Sequence, residues 1–274
     1  MKDPTDQRLW TDELRRLHDS NFAFDWDGHV RALNERLQLT GADEFGLPAA
    51  GLPPSWFVGD VAALEPRHWV LIVSLNQARR EDEEGWHRAR RYTNQTYWDH
   101  WRWLNRDWWQ PRFYRPLVRL ASAALGVEVD ADREAEFATT RMVFVELCPY
   151  ASRRFGLSAD ALGQLARDDI GFRLSTEVRR VLIDKAEPAL VMVNGVAGLK
   201  AIAQLEDARL ELLERRYPSV SRPQKQLWHE EGHYATDSRS VPVVGFPFLR
   251  KPQTHNSYAE IDQLGAMARA LVAG

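Results

Sequence analysis

Four short apolar runs constrain this chain more than any other feature. They are HWVLIVSLN (His68–Asn76), MVFVELCPY (Met142–Tyr150), LVMVNGVAG (Leu190–Gly198) and VPVVGFPFL (Val241–Leu249). Each is β-branched and nearly continuous, and each ends in polar residues. Strands buried on both faces read this way. Helical patterns lie between them, over Phe113–Leu125, Ser158–Arg167, Leu174–Lys185 and Val196–Arg215, with a last helix over Tyr258–Val272. Alternating strands and helices predict an α/β fold: three layers, α/β/α, around a central, mostly parallel four-stranded sheet. A short extra strand fits at Trp56–Gly59.

Upstream, Leu9, Trp10, Leu14 and Leu17 are spaced for one helix and Val30, Leu33 and Leu37 for another. The Gly/Pro-rich connector Gly41–Pro54 follows. We read residues 1–52 as a helical extension of a core over 53–274, all one domain of 274 residues. The formal charge of −3 does not advertise nucleic-acid binding, although a local basic face is compatible with it. A single cysteine, Cys148, excludes an intrachain disulfide. No run of 18 apolar residues exists and the first residues are polar, so neither a membrane span nor a secretory leader is expected, and the expected location is cytoplasmic.

One literal motif points elsewhere. HEEGH, His229–His233, matches H-E-x-x-H, which binds zinc when a helix puts both histidines on one face. Gly232 and the flanking alternation Leu227, Trp228, Tyr234, Thr236 argue against a helix. We expect a hairpin with Glu230–Gly232 at its tip, and no metal. No G-x-G-x-x-G or P-loop follows any strand, so no nucleotide cofactor is implied.

In such a fold, ligands bind beyond the carboxyl ends of the strands, which selects Asn76, Gln77, Glu146, Asn194 and the segment Phe246–Ser257. The order of these strand ends resembles the uracil-DNA glycosylase superfamily. The matching motifs are SLNQA (Ser74–Ala78) at the place of G-x-N-P-G or G-Q-D-P-Y, FVELCPY (Phe144–Tyr150), VMVNGVAGL (Val191–Leu199), and a last strand leading through Val243–Tyr258 to the place of H-P-S-P. PSWFVGD, Pro54–Asp60, resembles the upstream P-x-x-F-x-G-D. The likeness spans roughly residues 53–272 and rests on order and spacing. The first motif lacks the family's Pro and Gly. At the last, either Phe246–Leu249 or His255–Ser257 stands where the catalytic histidine belongs. We prefer His255, because Ser257 and Tyr258 then open the final helix.

The resemblance implies a monofunctional DNA glycosylase that hydrolyses the N-glycosidic bond of a flipped-out base and leaves an abasic site. The implied partner is DNA, and the chain is expected to act as a monomer. Asn76 would orient the attacking water and His255 would stabilise the departing base. Glu146 would read the base. A carboxylate only accepts, which suits the exocyclic amine of a cytosine and repels uracil O4. The alternative for Glu146 is an ion pair with Arg153 or Arg154, and for Asn76 a turn role.

Of eleven tryptophans, six (Trp86, Trp98, Trp101, Trp103, Trp108 and Trp109) cluster, with arginines interleaved. Aromatic plus Arg is a base-stacking composition, although core packing explains most of these rings. Tyr92, Tyr97 and Trp98, with Asn194, are the candidate pocket wall. Leu249 would be the wedge, with Arg250, Lys251, Gln77 and Ser257 on the DNA. The stretch Arg79–Arg91 reads as a solvated, salt-bridged helix. Some superfamily members excise hypermodified cytosines in anti-phage defence, and Glu146 with the Trp block leans toward a glucosylated hydroxymethylcytosine. The alternatives are a non-catalytic nucleic-acid sensor on the same fold, or an N-glycosidase of free nucleosides or nucleotides.

Overall fold

A computed structural model describes residues 4–47, 50–76, 91–102, 111–206, 209–249 and 255–274. Gln77, Arg250, Lys251, the Arg79–Arg90 part of the charged run, and Trp86, Trp103, Trp108 and Trp109 lie outside the described residues.

The four expected strands form and run parallel: β1 (Val70–Ser74), β2 (Met142–Glu146), β3 (Leu190–Asn194) and, last in sequence, β6 (Ser240–Phe246). Two further strands join them, one unexpected and one in the stretch read as a hairpin about Glu230–Gly232. β4 (Leu210–Pro218) and β5 (Gln226–Ala235) are antiparallel, which makes a six-stranded mixed sheet of order β2-β1-β3-β6-β5-β4. Two expectations fall here. The helix read over Val196–Arg215 ends at Leu205, because the Leu, Glu and Arg of LELLERR, good helix formers, are captured by nine cross-strand pairs to β5. HEEGH is not a hairpin tip: it lies inside β5, paired on both sides, and the turns are at Ser219–Lys225 and Thr236–Arg239. On an extended strand the Cα atoms of His229 and His233 are about 13 Å apart, so the helical chelate does not form. Among the described residues no cluster of three metal-ligating side chains occurs.

The parallel strands alternate between two cores, as period two requires. Leu71, Val73, Val143, Val145, Val191 and Val193 face one side. They pack there on α1 (Pro4–Asn21), α2 (Trp26–Leu37), α6 (Ala159–Asp168), α7 (Ile170–Asp184) and α8 (Val196–Leu205). Val70, Ile72, Phe144, Met192, Val244 and Phe246 face the other. Their partners are α4 (Pro111–Leu125), α5 (Glu134–Arg141) and α9 (Tyr258–Ala273). The N-terminal helices thus share the sheet's core through Trp10, Leu14, Trp26 and Val30, whereas Leu9 is exposed. Helix α3 (Asn94–Arg102) lies beside β2, where Gly59 N–H donates to Trp101 O; the strand expected at Trp56–Gly59 is a single bridge, Val58 to Phe144.

Caps end the helices where the sequence supplies them. Ser158 and Asp169 accept from Ala161 N–H and Phe172 N–H at the starts of α6 and α7. Ser257 and Glu260 form a capping box on α9. Among the described residues no helix is long and apolar enough to cross a membrane.

Candidate functional site

The register places a row of side chains across the carboxyl edge of the sheet. Glu146 is opposite Ser74, and Asn194 is opposite Phe246. Extending the β1–β3 register by one residue joins the two pairs into Glu146–Ser74–Asn194–Phe246, all on the α9 side. Past the strand ends, Leu147 N–H donates to Ser74 O and Cys148 N–H to Leu75 O, so the loops after β1 and β2 run on together. That extension brings Asn76 to Ser152: the Asn76 amide nitrogen donates to Ser152 Oγ at 2.8 Å. The amide oxygen has no hydrogen-bond partner among the described residues, as water positioning requires. Ser152 was not singled out from sequence, although it lies in the same CPYAS loop.

Glu146 is half-buried, yet its Oε2 is fully enclosed and has no hydrogen-bond partner among the described residues. Burial pushes its carboxyl up to about 8. The ion-pair alternative through Arg154 is not what forms, because Arg154 pairs with Asp43. At neutral pH Glu146 is a neutral acid with one O–H donor and one carbonyl acceptor, not an acceptor-only carboxylate. It can then pair with N3 and N4 of a cytosine, or with N3–H and O4 of a uracil. Selectivity for the amine appears only once the proton leaves.

His255 is not brought to Asn76. Its Nε2 lies 2.5 Å from the Tyr217 hydroxyl on β4, under the ring of Tyr217, which also meets His229 of β5. Four strand spacings separate β1 from β4, on the order of 19 Å. Asn76 also leans toward the β2 loop, away from His255. His255 is buried and neutral, burial lowering it to about 4. It is therefore a packed histidine of the hairpin, and Phe246–Leu249 stands at the end of β6 instead. There Phe248 is 43% exposed, while Leu249 is half-buried against the second core, so Phe248 presents the larger apolar surface. Gly195 permits this placement: at φ +97 it opens α8, and a Cβ there would lie 2.8 Å from the Phe248 ring.

The aromatic wall is not a wall. Tyr97 is fully buried and donates to Pro53 O at 2.6 Å, and burial raises its phenol. Trp98 packs edge-on to Phe57 and beside His18, with the Arg15 guanidinium over its ring at 5.2 Å. Tyr92 meets Tyr97 and His100. Of the interleaved arginines, Arg102 pairs with Asp60 and Arg115 with Glu134. Ser257 caps α9 rather than facing outward as a phosphate donor. Asn194 keeps its predicted place, buried at the end of β3. Two cavities, about 590 and 530 Å³, lie along α2 and between α6 and α7; neither is lined by Asn76, Glu146 or His255.

No protein-family model matches the chain, and no curated protein matches it.

Proposed function

We propose that this chain is a DNA glycosylase of the uracil-DNA glycosylase type, acting on a flipped-out pyrimidine base, with glucosylated hydroxymethylcytosine of phage DNA as one candidate beside uracil. The observation that carries the reading is the carboxyl edge of four parallel strands in the order β2-β1-β3-β6. It carries an amide, Asn76 held by Ser152, and one strand away a half-buried acid, Glu146, whose enclosed Oε2 has no partner among the described residues.

In this reading a water held by the Asn76 amide oxygen attacks C1′ as the base departs and the sugar becomes oxocarbenium-like. An amide is too weak a base to take the proton early, so Asn76 contributes orientation. Glu146, enclosed and neutral, engages the Watson–Crick edge of the base. His255 has no part in the step.

The test is base release from duplex and single-stranded DNA carrying uracil, hypoxanthine, hydroxymethylcytosine or its glucosylated form, scored by alkaline cleavage at abasic sites. We expect release of a pyrimidine base, reduced about a hundredfold or more in Asn76→Ala with the fold intact. Release that Asn76→Ala leaves unchanged refutes the assignment of the water site. Salt-sensitive DNA binding without any release favours the sensor, and cleavage of free nucleosides the N-glycosidase.

A further inference from the structure

The outer edge of the sheet points to a second copy of this chain. β4 is the last strand in the sheet order, and no described element pairs with its outer side. It is nine residues long and strongly exposed, with Leu213 56% accessible at its centre. Such an edge is an open template for another strand, and proteins commonly deter pairing there with charge. Here two glutamates, Glu211 and Glu214, precede two arginines, Arg215 and Arg216, an order that is self-complementary in an antiparallel pair.

We propose that two copies pair antiparallel through β4 about a two-fold axis at Leu213. An antiparallel pair centred on Leu213 sets Leu213 opposite its symmetry mate. The same register sets Glu211 opposite Arg215 of the second copy, and by symmetry Arg215 opposite Glu211. Both ion pairs and the apolar contact fall on one face of the joined sheet, because directly opposed residues share a face. Glu211 makes no ion pair among the described residues, and Arg215, although bonded to Glu231 through Nε at 2.5 Å, is still 53% exposed. Moving the axis by one residue to Glu214 would oppose two glutamates, so the charges select the register. Pro218, which cannot donate, lies outside the symmetric window Leu210–Arg216. A strand pair alone is smaller than a typical permanent interface, so the dimer forms reversibly at micromolar concentrations, about 1–100 μM.

Charge reversal tests the register. Glu211→Arg places two arginines at each ion-pair position, and Arg215→Glu two glutamates. Each variant alone is expected to raise the dimer dissociation constant about tenfold or more in sedimentation equilibrium. Mixed together, the two variants restore both opposite-charge pairs and are expected to form the heterodimer. Leu213→Cys supplies a measurement independent of those charges. Paired residues about 4.5–5.5 Å apart at Cα suit a disulfide, so this variant should cross-link to itself on mild oxidation, while Leu212→Cys should not. The single native cysteine, Cys148, is buried. Wild type that sediments as a monomer up to about 500 μM overturns the proposal. So does mixing of the two charge variants without heterodimer formation.

Discussion

Replacing Glu146 by Gln should stabilise the protein, and the gain should grow with pH. In the native state burial holds the Glu146 carboxyl at about 8, against an ordinary value of 4.5. Between those two values the folded chain keeps the proton and the unfolded chain releases it. Wild-type stability therefore falls as pH rises from 4.5 to about 8 and levels off above. At about 1.4 kcal/mol per pH unit, folding at pH 7 carries a cost of about 3 kcal/mol. Partial exposure relieves some of it, and about 1–2 kcal/mol is a sounder figure. Glutamine is neutral at every pH and nearly the same shape, so Glu146→Gln removes the ionisation cost and little else. Urea unfolding at pH 4.5, 7 and 8.5 reads the difference directly. We expect no difference at pH 4.5, about 1–2 kcal/mol in favour of the variant at pH 7, and more at pH 8.5. For a chain of this size the pH 7 gain corresponds to a Tm rise of about 3 °C. A difference that does not change with pH, or a variant less stable than wild type at pH 8.5, would refute the reasoning. It would mean that the carboxylate has a charged partner.

Two further perturbations have definite outcomes. His255 runs in the opposite sense: burial lowers it to about 4, so the unfolded chain takes up a proton below 6.5 that the folded chain does not, and stability falls as pH drops from 6.5 toward 4. Denaturant midpoints in that window should lose close to one proton of pH dependence in His255→Gln, with base release unaffected at neutral pH. Gly195→Ala forces a side chain into φ +97 and against the Phe248 ring, and should cost about 1–3 kcal/mol by thermal unfolding.

The parallel sheet was legible because strands buried on both faces leave an almost unbroken apolar signature. All four were found within a few residues of their ends. The hairpin was legible only in part: the alternation over Leu227–Thr236 marked extended chain, but its partner was missed, because LELLERR favours a helix by local propensity and becomes a strand only through β5. The placement of Asn76, Glu146 and Asn194 along one edge of the sheet was legible because position at the end of a parallel strand is itself the signal. Tyr97 and Trp98 misled because an aromatic that packs and one that stacks on a base have the same composition, and only contacts to Pro53, Phe57 and His18 separate them. The charge state of Glu146 could not be read at all, since it depends on enclosure by residues distant in sequence.

The hairpin ties these departures together. It occupies the free edge of β6, and its inward-facing Tyr217 and His229 need a polar partner, which His255 supplies by hydrogen bonding to the Tyr217 hydroxyl. The histidine that sequence order assigned to catalysis is thereby drawn toward β4, and the end of β6 is left to Phe246–Leu249. The same hairpin moves the open edge of the sheet two strands away from β6. Antiparallel pairing at Leu213 reverses strand direction between the copies, so their carboxyl edges face opposite ways. Dimerisation therefore leaves Asn76 and Glu146 uncovered in both copies. On the glycosylase reading proposed above, it also keeps one straight duplex from reaching both sites at once, so base release per chain should not depend on assembly.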